Sequence, residues 1–280
     1  MTADWSHLAR ARSLLFVPGD RPDRFAKAAG SGADGIVLDI EDAVAPPSKA
    51  TARENIGRWL ANGGAGVVRI NDPSTQWYDD DVAMLAARPC AVMLAKVTAP
   101  GQVWELLGRL APGSCVLPLI ETAAAALEAR AICSVTGAVR AVFGNADLGR
   151  ELGVDHADLA AMAAARSLVV LASAAAQLPP PIDGVTTALT DEKKVTIDSE
   201  HAAGLGFGGK LCLHPRQVPV VNAAFSPSAE DVRWAQDVLA AAGDGSVAAL
   251  DGYVVGKPIV DRARRVLAQE ARAAASHIDN

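Results

Sequence analysis

The sequence predicts an α/β chain whose residues 1–225 form a (β/α)8 TIM barrel, with extra C-terminal helices over 226–280. Eight short apolar runs alternate with segments suited to helices, the pattern of parallel βαβ units. Polar residues collect where those runs finish, which in a barrel is the face that carries the site. The first run ends in Pro18-Gly19-Asp20 rather than in a glycine-rich phosphate turn, which disfavours an open doubly wound sheet. A chain of 280 residues is a suitable length for one such barrel.

The strand-like runs are Ser13–Val17, Gly35–Ile40, Gly66–Ile70, Ala91–Val97, Cys115–Ile120, Val139–Phe143, Ile182–Thr186 and Gly209–Leu213. Each is short, apolar and bounded by turn residues, as buried strands are. Helices are expected over 22–31, 48–61, 76–87, 100–110, 122–133, 155–178 and 191–203. Two more follow at about 228–242 and 258–276; the first opens on Ser226-Pro227-Ser228 with Glu230, a helix-start signature. Between them Gly243-Asp244-Gly245-Ser246 reads as a loop and Leu250–Val255 as a short apolar piece. This tail exceeds what a minimal barrel needs, and either packs on the barrel, covers the site or reaches a neighbouring subunit.

Half of the residues are hydrophobic but only 4% are aromatic, so Ala, Val, Leu and Ile must build the core. The net charge of −6 without any Lys/Arg block argues against a nucleic-acid surface. Cys90, Cys115, Cys133 and Cys212 show no CxxC spacing and read as buried free thiols of a reducing compartment. The N-terminus lacks a signal-peptide pattern. No apolar run approaches the ~20 residues a membrane span needs; residues 157–178 come nearest and are interrupted by Asp158, Arg166 and Gln177. A cytoplasmic protein without membrane partners is expected.

The most informative stretch is Cys115–Asp147, where the fifth run ends in Glu121 and the sixth, after Gly-Asn-Ala, in Asp147. Neighbouring parallel strands bring both acids out at one end. Two such carboxylates suit a hard divalent cation such as Mg²⁺, which leaves positions free for substrate and water. The alternative is two unrelated loop carboxylates, and the pairing with strand ends favours a site. The second run adds Asp39, Glu41 and Asp42; Asp39 and Glu41, two apart on a strand, point to one side. They either orient the waters of a metal or hold a cation in place, the alternative being that one of them caps or ion-pairs structurally, which is the reading for Asp42. Arg69 either clamps a substrate carboxylate or forms a salt bridge with Asp39 or Glu41. Lys96 is either a Schiff-base amine or, with so many acids near it, an ion-pair partner. His214 is either a general base or a hydrogen-bonded scaffold residue. No Ser-His-Asp set and no HExxH motif is evident.

Seven motifs then fit one family. They are Arg12-Ser13-Leu14-Leu15-Phe16-Val17-Pro18-Gly19, Leu38-Asp39-Ile40-Glu41-Asp42-Ala43-Val44, Val68-Arg69-Ile70-Asn71, Leu119-Ile120-Glu121-Thr122, Phe143-Gly144-Asn145-Ala146-Asp147-Leu148, Gly206-Phe207-Gly208-Gly209-Lys210 and His214-Pro215-Arg216-Gln217. Over roughly residues 10–270 they resemble the citrate lyase beta-subunit-like lyases, which include malyl-CoA and citramalyl-CoA lyases. The resemblance is specific for family and weak for substrate. It implies a Mg²⁺-dependent barrel, commonly a homotrimer, that cleaves or forms a carbon–carbon bond in a 3-hydroxy-acyl thioester such as citryl-, citramalyl- or malyl-CoA. The products of cleavage would be an oxo acid, such as oxaloacetate, and acyl-CoA.

By motif match, Glu121 and Asp147 would ligate the metal, with Glu121 also lining the substrate site. Arg69 would hold the oxo-acid carboxylate with Ala146 beside it. Phe16, Val17, Arg21, Lys27, Leu213 and His214 would lie along the CoA or acyl-carrier arm. Asp39 and Glu41 would support the metal site through water. One departure stands out. The family tail often reads Gly-x-Met-Ile-Asp-x-Pro, its Asp serving as acid/base in a neighbouring subunit. Here Gly252-Tyr253-Val254-Val255-Gly256-Lys257-Pro258 puts glycine at that place. Asp251, Asp261 or a metal-bound water would have to substitute. Alternatively the site hydrolyses or condenses thioesters, or the chain is a subunit that binds oxo acid or acyl carrier and needs partners for turnover.

Overall fold

The computed structural model describes residues 4–242, 248–250 and 253–275. Eight parallel strands close into a barrel in chain order: β1 (Ser13–Pro18), β2 (Gly35–Asp39), β3 (Val67–Ile70), β4 (Ala91–Leu94), β5 (Cys115–Ile120), β6 (Val142–Phe143), β7 (Ile182–Asp183) and β8 (Gly209–Cys212). β8 pairs back onto β1, Leu15 opposite Cys212. Every residue of β3, β4, β5 and β8 is buried, which is why these runs lack polar alternation. The barrel interior is filled by Leu14, Val37, Val67, Met93, Leu117 and their neighbours. Aliphatic side chains therefore carry the core, and all four cysteines are free and buried in it. Burial pushes the Cys115 thiol up to about 12.

The helices around the strands are α1 (Phe25–Ala29), α2 (Lys49–Ala61), α3 (Tyr78–Leu85), α4 (Pro100–Arg109), α5 (Ala123–Cys133), α6 (Asn145–Leu152), α7 (Leu159–Ala175), α8 (Glu192–Leu205) and α9 (Gln217–Ala224). Side-chain caps start three of them. Thr122 accepts from Ala125 N, Asp158 from Ala160 N and Ala161 N, and Asp191 from Lys194 N.

Compact packing divides the chain into Met1–Asn222 and Ala223–Asn280. The second unit holds α10 (Ala229–Ala242), a two-stranded antiparallel sheet of β9 (Ala248–Leu250) and β10 (Tyr253–Val255), and α11 (Lys257–Ala275). Its own small core joins Ala235, Val238, Ala242, Val255, Val260 and Ala263.

Several expected boundaries move. β2 ends at Asp39 and not at Ile40, β4 at Leu94 and not at Val97, and β7 at Asp183 and not at Thr186. Ladder pairing stops there while the apolar character continues into buried loop, which sequence cannot separate. β6 keeps only two of five expected residues. The helix expected over 155–178 is preceded by the unexpected α6; Gly153, in the left-handed region at φ 69°, caps α6, and Asp158 opens α7. The apolar piece 250–255 falls on β9 and β10, while Asp251 and Gly252 lie outside the described residues. α9 was not anticipated, its Pro219 masking a helix that buries Val218 and Val221.

Candidate functional site

The candidate site lies where β2 to β6 end. β2 and β3 place Asp39 opposite Arg69, and the two side chains pair twice, Nε donating to Oδ1 at 2.8 Å and Nη2 to Oδ2 at 2.6 Å. Asp39 has no exposed surface; its oxygens also accept from Glu41 N at 2.9 Å and Ala43 N at 3.1 Å. Because β2 ends at Asp39, strand alternation does not set the direction of Glu41. That expectation gives way to a turn closed by the Asp39 carboxylate. Glu41 still reaches the same cation, its Oε2 lying 3.1 Å from Arg69 Nη1. The salt-bridge reading of Arg69 is therefore what the structure contains. Phe16 stacks beneath it, with the guanidinium carbon 4.7 Å from the ring centre.

Lys96 follows β4 and joins the two sides of the cluster. Its ammonium donates to Glu41 Oε1 and lies 3.7 Å from Asp42 Oδ2. Burial acts to lower the Lys96 pKa, but the Glu41 hydrogen bond and charge outweigh it and the net shift is upward. The ion-pair reading holds, and a protonated ammonium is a poor Schiff-base nucleophile. The Lys96 backbone N–H donates to Glu121 Oε1 at 2.7 Å.

Glu121 follows β5 and is 2% exposed, yet no ion pair within 4 Å reaches it among the described residues. Burial pushes its pKa up to about 8; the charges of Lys96 and Arg69 oppose this, and those of Asp147 and Glu41 add to it. Asp147 lies in the first turn of α6 rather than in a strand-end loop, and pairs with the exposed Arg150 guanidinium. Gly144 lies between them in sequence. A Cβ there would stand 2.4 Å from Glu121 Cβ and 2.8 Å from Oε2, so only glycine leaves this carboxylate its place.

The donors fit a hard divalent cation. All are carboxylates, and Glu121 is buried with no ion pair reaching it among the described residues. No cluster of three or more His, Cys, Asp or Glu arranged as metal ligands occurs among the described residues, so water or substrate would complete the shell.

The other expected residues lie toward β8 and β1. Val17 is buried, facing away from the barrel interior that Phe16 joins. Arg21 is exposed and pairs with Asp23 at 2.9 Å, and Lys27 is exposed on α1. Leu213 and His214 follow β8, Leu213 partly exposed; Gln217 Oε1 accepts from both their backbone N–H groups, and His214 Nδ1 accepts from Arg216 N. This is the scaffold geometry for His214. Ala146 is exposed at the start of α6. Of these, Phe16 has the ring contact to Arg69, while Arg21 pairs with Asp23 and His214 with the backbone of Arg216. Asp261 on α11 lies 3.4 Å from Arg264.

Sequence reasoning missed three participants. Lys49, buried on α2, donates to Ile40 O, Glu41 O and Asn71 Oδ1 and so fixes the turn after β2. Asn145 holds the loop after β7, accepting from Val185 N and donating to Val185 O. Gly144 leaves room for Glu121. Only the last two fall in a stretch singled out in the sequence; nothing distinguishes Lys49 from a surface lysine.

The HpcH/HpaI aldolase/citrate lyase family model matches residues 12–215. The chain belongs to this family. A (3S)-malyl-CoA thioesterase of Cereibacter sphaeroides is 34% identical over 94% of this chain and 96% of its own. A citrate lyase subunit beta-like protein of Mycobacterium tuberculosis is 35% identical over 92% of this chain and 95% of its own. Among solved structures, CitE from Mycobacterium tuberculosis in complex with magnesium, acetoacetate and coenzyme A superposes with TM-score 0.83 at 34% identity, covering 94% of this chain and 99% of that one. Family and fold thus agree with the motifs, and the carboxylate cluster lies within the matched segment.

Proposed function

We propose that this chain is a Mg²⁺-dependent carbon–carbon lyase that splits or forms a 3-hydroxyacyl thioester, with an oxo acid and an acyl-CoA as the other partners. The observation that carries it is Glu121, a carboxylate 2% exposed with no ion pair among the described residues, next along the barrel rim to Asp147. Those two residues would hold the cation, which when bound supplies Lewis acidity to an oxygen gaining negative charge. Arg69, held rigid by Asp39 and Glu41, offers a preset guanidinium to the oxo-acid carboxylate. Phe16 closes the site from below. The exposed cations Arg21 and Lys27 suit the phosphates of a CoA arm, and Leu213 and His214 its apolar portion. Asp251 and Asp261 are the candidates for moving a proton in place of the glycine at 256. A cytoplasmic homotrimer completes the reading.

The thioesterase relative and Gly256 favour a second reading, hydrolysis of the thioester at the same site. Incubation with Mg²⁺ and malyl-, citramalyl- and citryl-CoA decides between them. Lyase activity releases oxo acid and acyl-CoA in equal amounts, and Glu121→Ala and Asp147→Ala each lower it about a thousandfold, the loss of several kcal/mol of charge stabilisation. Free CoA with intact hydroxy acid means hydrolysis. No turnover of any thioester overturns both.

A further inference from the structure

Lys96 is one of two non-glycine residues in the left-handed region among the described residues, at φ 50°. An unbranched side chain seldom adopts this conformation, and a β-branched one almost never does. Such outliers persist where the surroundings require them. Here two contacts leave the residue in different directions. The backbone N–H meets Glu121 Oε1 beyond β5, and the ammonium meets Glu41 beyond β2. Gly144 bounds Glu121 from another side, next to Oε2. The carboxylate is thus held by one oxygen, with the other left for a ligand.

We propose that Lys96 is a positioning residue whose left-handed turn aims its amide at Glu121, fixing that carboxylate in the orientation that binds the divalent cation. This rests on the metal-site reading above. The ammonium is the lesser part: a positive charge near a cation weakens its binding, so charge alone would make Lys96 unfavourable there. The conformation and the charge therefore predict opposite effects on metal affinity, and variants can separate them.

Lys96→Gly, Lys96→Ala and Lys96→Val all remove the ammonium and all keep the backbone N–H. They differ in how readily they hold φ 50°, glycine most and valine least. The measurement is Mg²⁺ affinity by titration calorimetry, with melting temperatures recorded on the metal-free proteins. Affinity is expected to fall in the order Gly, Ala, Val, with Lys96→Val at least tenfold weaker than Lys96→Gly, the scale seen when partners of metal ligands are altered. Lys96→Gly is expected to bind as tightly as the unaltered protein or more so. Equal affinities in the three variants, even with different melting temperatures, would overturn the proposal, since they would limit the turn to a structural role. If Lys96→Val does not fold, the Gly and Ala pair decides alone. Failure of the unaltered protein to bind Mg²⁺ would overturn the metal-site reading, and the role of Lys96 with it.

Discussion

Glu121 shows how one residue is set by its surroundings. A carboxylic acid in water ionises well below neutrality, but burial beneath the barrel rim moves this one to about 8. The consequence for stability has a definite sign. Between the unfolded value of 4.5 and the folded value of about 8, the folded chain keeps a proton that the unfolded chain has released. Rising pH therefore weakens the metal-free fold across that window, by roughly 3–5 kcal/mol from this group. Denaturant unfolding in EDTA at pH 5 and pH 8 should show this loss, and Glu121→Gln should reduce it. An unchanged pH slope in the variant would mean that Glu121 ionises normally.

At the scale of elements, the barrel is locked by buried charge as well as by aliphatic packing. Asp183 at the end of β7 accepts from Arg166 of α7 at 2.9 Å and from Lys210 of β8 at 2.8 Å, with all three nearly inaccessible. Burial raises the Asp183 pKa and the two cations overcome it, leaving a net depression. Its contribution is present above the unfolded value of 3.8 and is lost as pH falls through the lower folded one. Asp183→Asn leaves two buried cations without their counter-charge, so a loss of roughly 3–5 kcal/mol is expected near neutral pH. Chemical denaturation at pH 7 and pH 3 measures it; the gap between wild type and variant should narrow at the lower pH.

At the scale of the molecule, the site exists because the parallel sheet sets the ends of β2 to β6 side by side. Glu41, Arg69, Lys96, Glu121 and Asp147 come from five successive βα units, and a cation held by Glu121 and Asp147 would tie together two of them, those of β5 and β6. Mg²⁺ at a hundredfold excess over its dissociation constant should add about 2.7 kcal/mol of stability. In a chain of this size that raises the melting temperature by roughly 5 °C or more. Scanning calorimetry with and without Mg²⁺ checks this, and Glu121→Ala and Asp147→Ala should each abolish the shift.

The sequence by itself determined the barrel, because eight apolar runs alternating with helical segments leave few other ways to bury the runs. It also singled out Glu121, Asp147, Arg69, Asp39 and Glu41, because acids and a guanidinium at the ends of neighbouring runs fall within motifs that resemble one family. Tertiary structure alone decided where ladders stop, since Ile40, Ala95 and Val97 are as buried as the strands they follow. It alone decided that Asp147 sits on a helix, that Arg69 is already paired, and that Lys49 is buried. The reason is the same in each case. Periodicity records which residues leave water, whereas hydrogen-bond partners and left-handed turns such as that of Lys96 depend on neighbours distant in sequence.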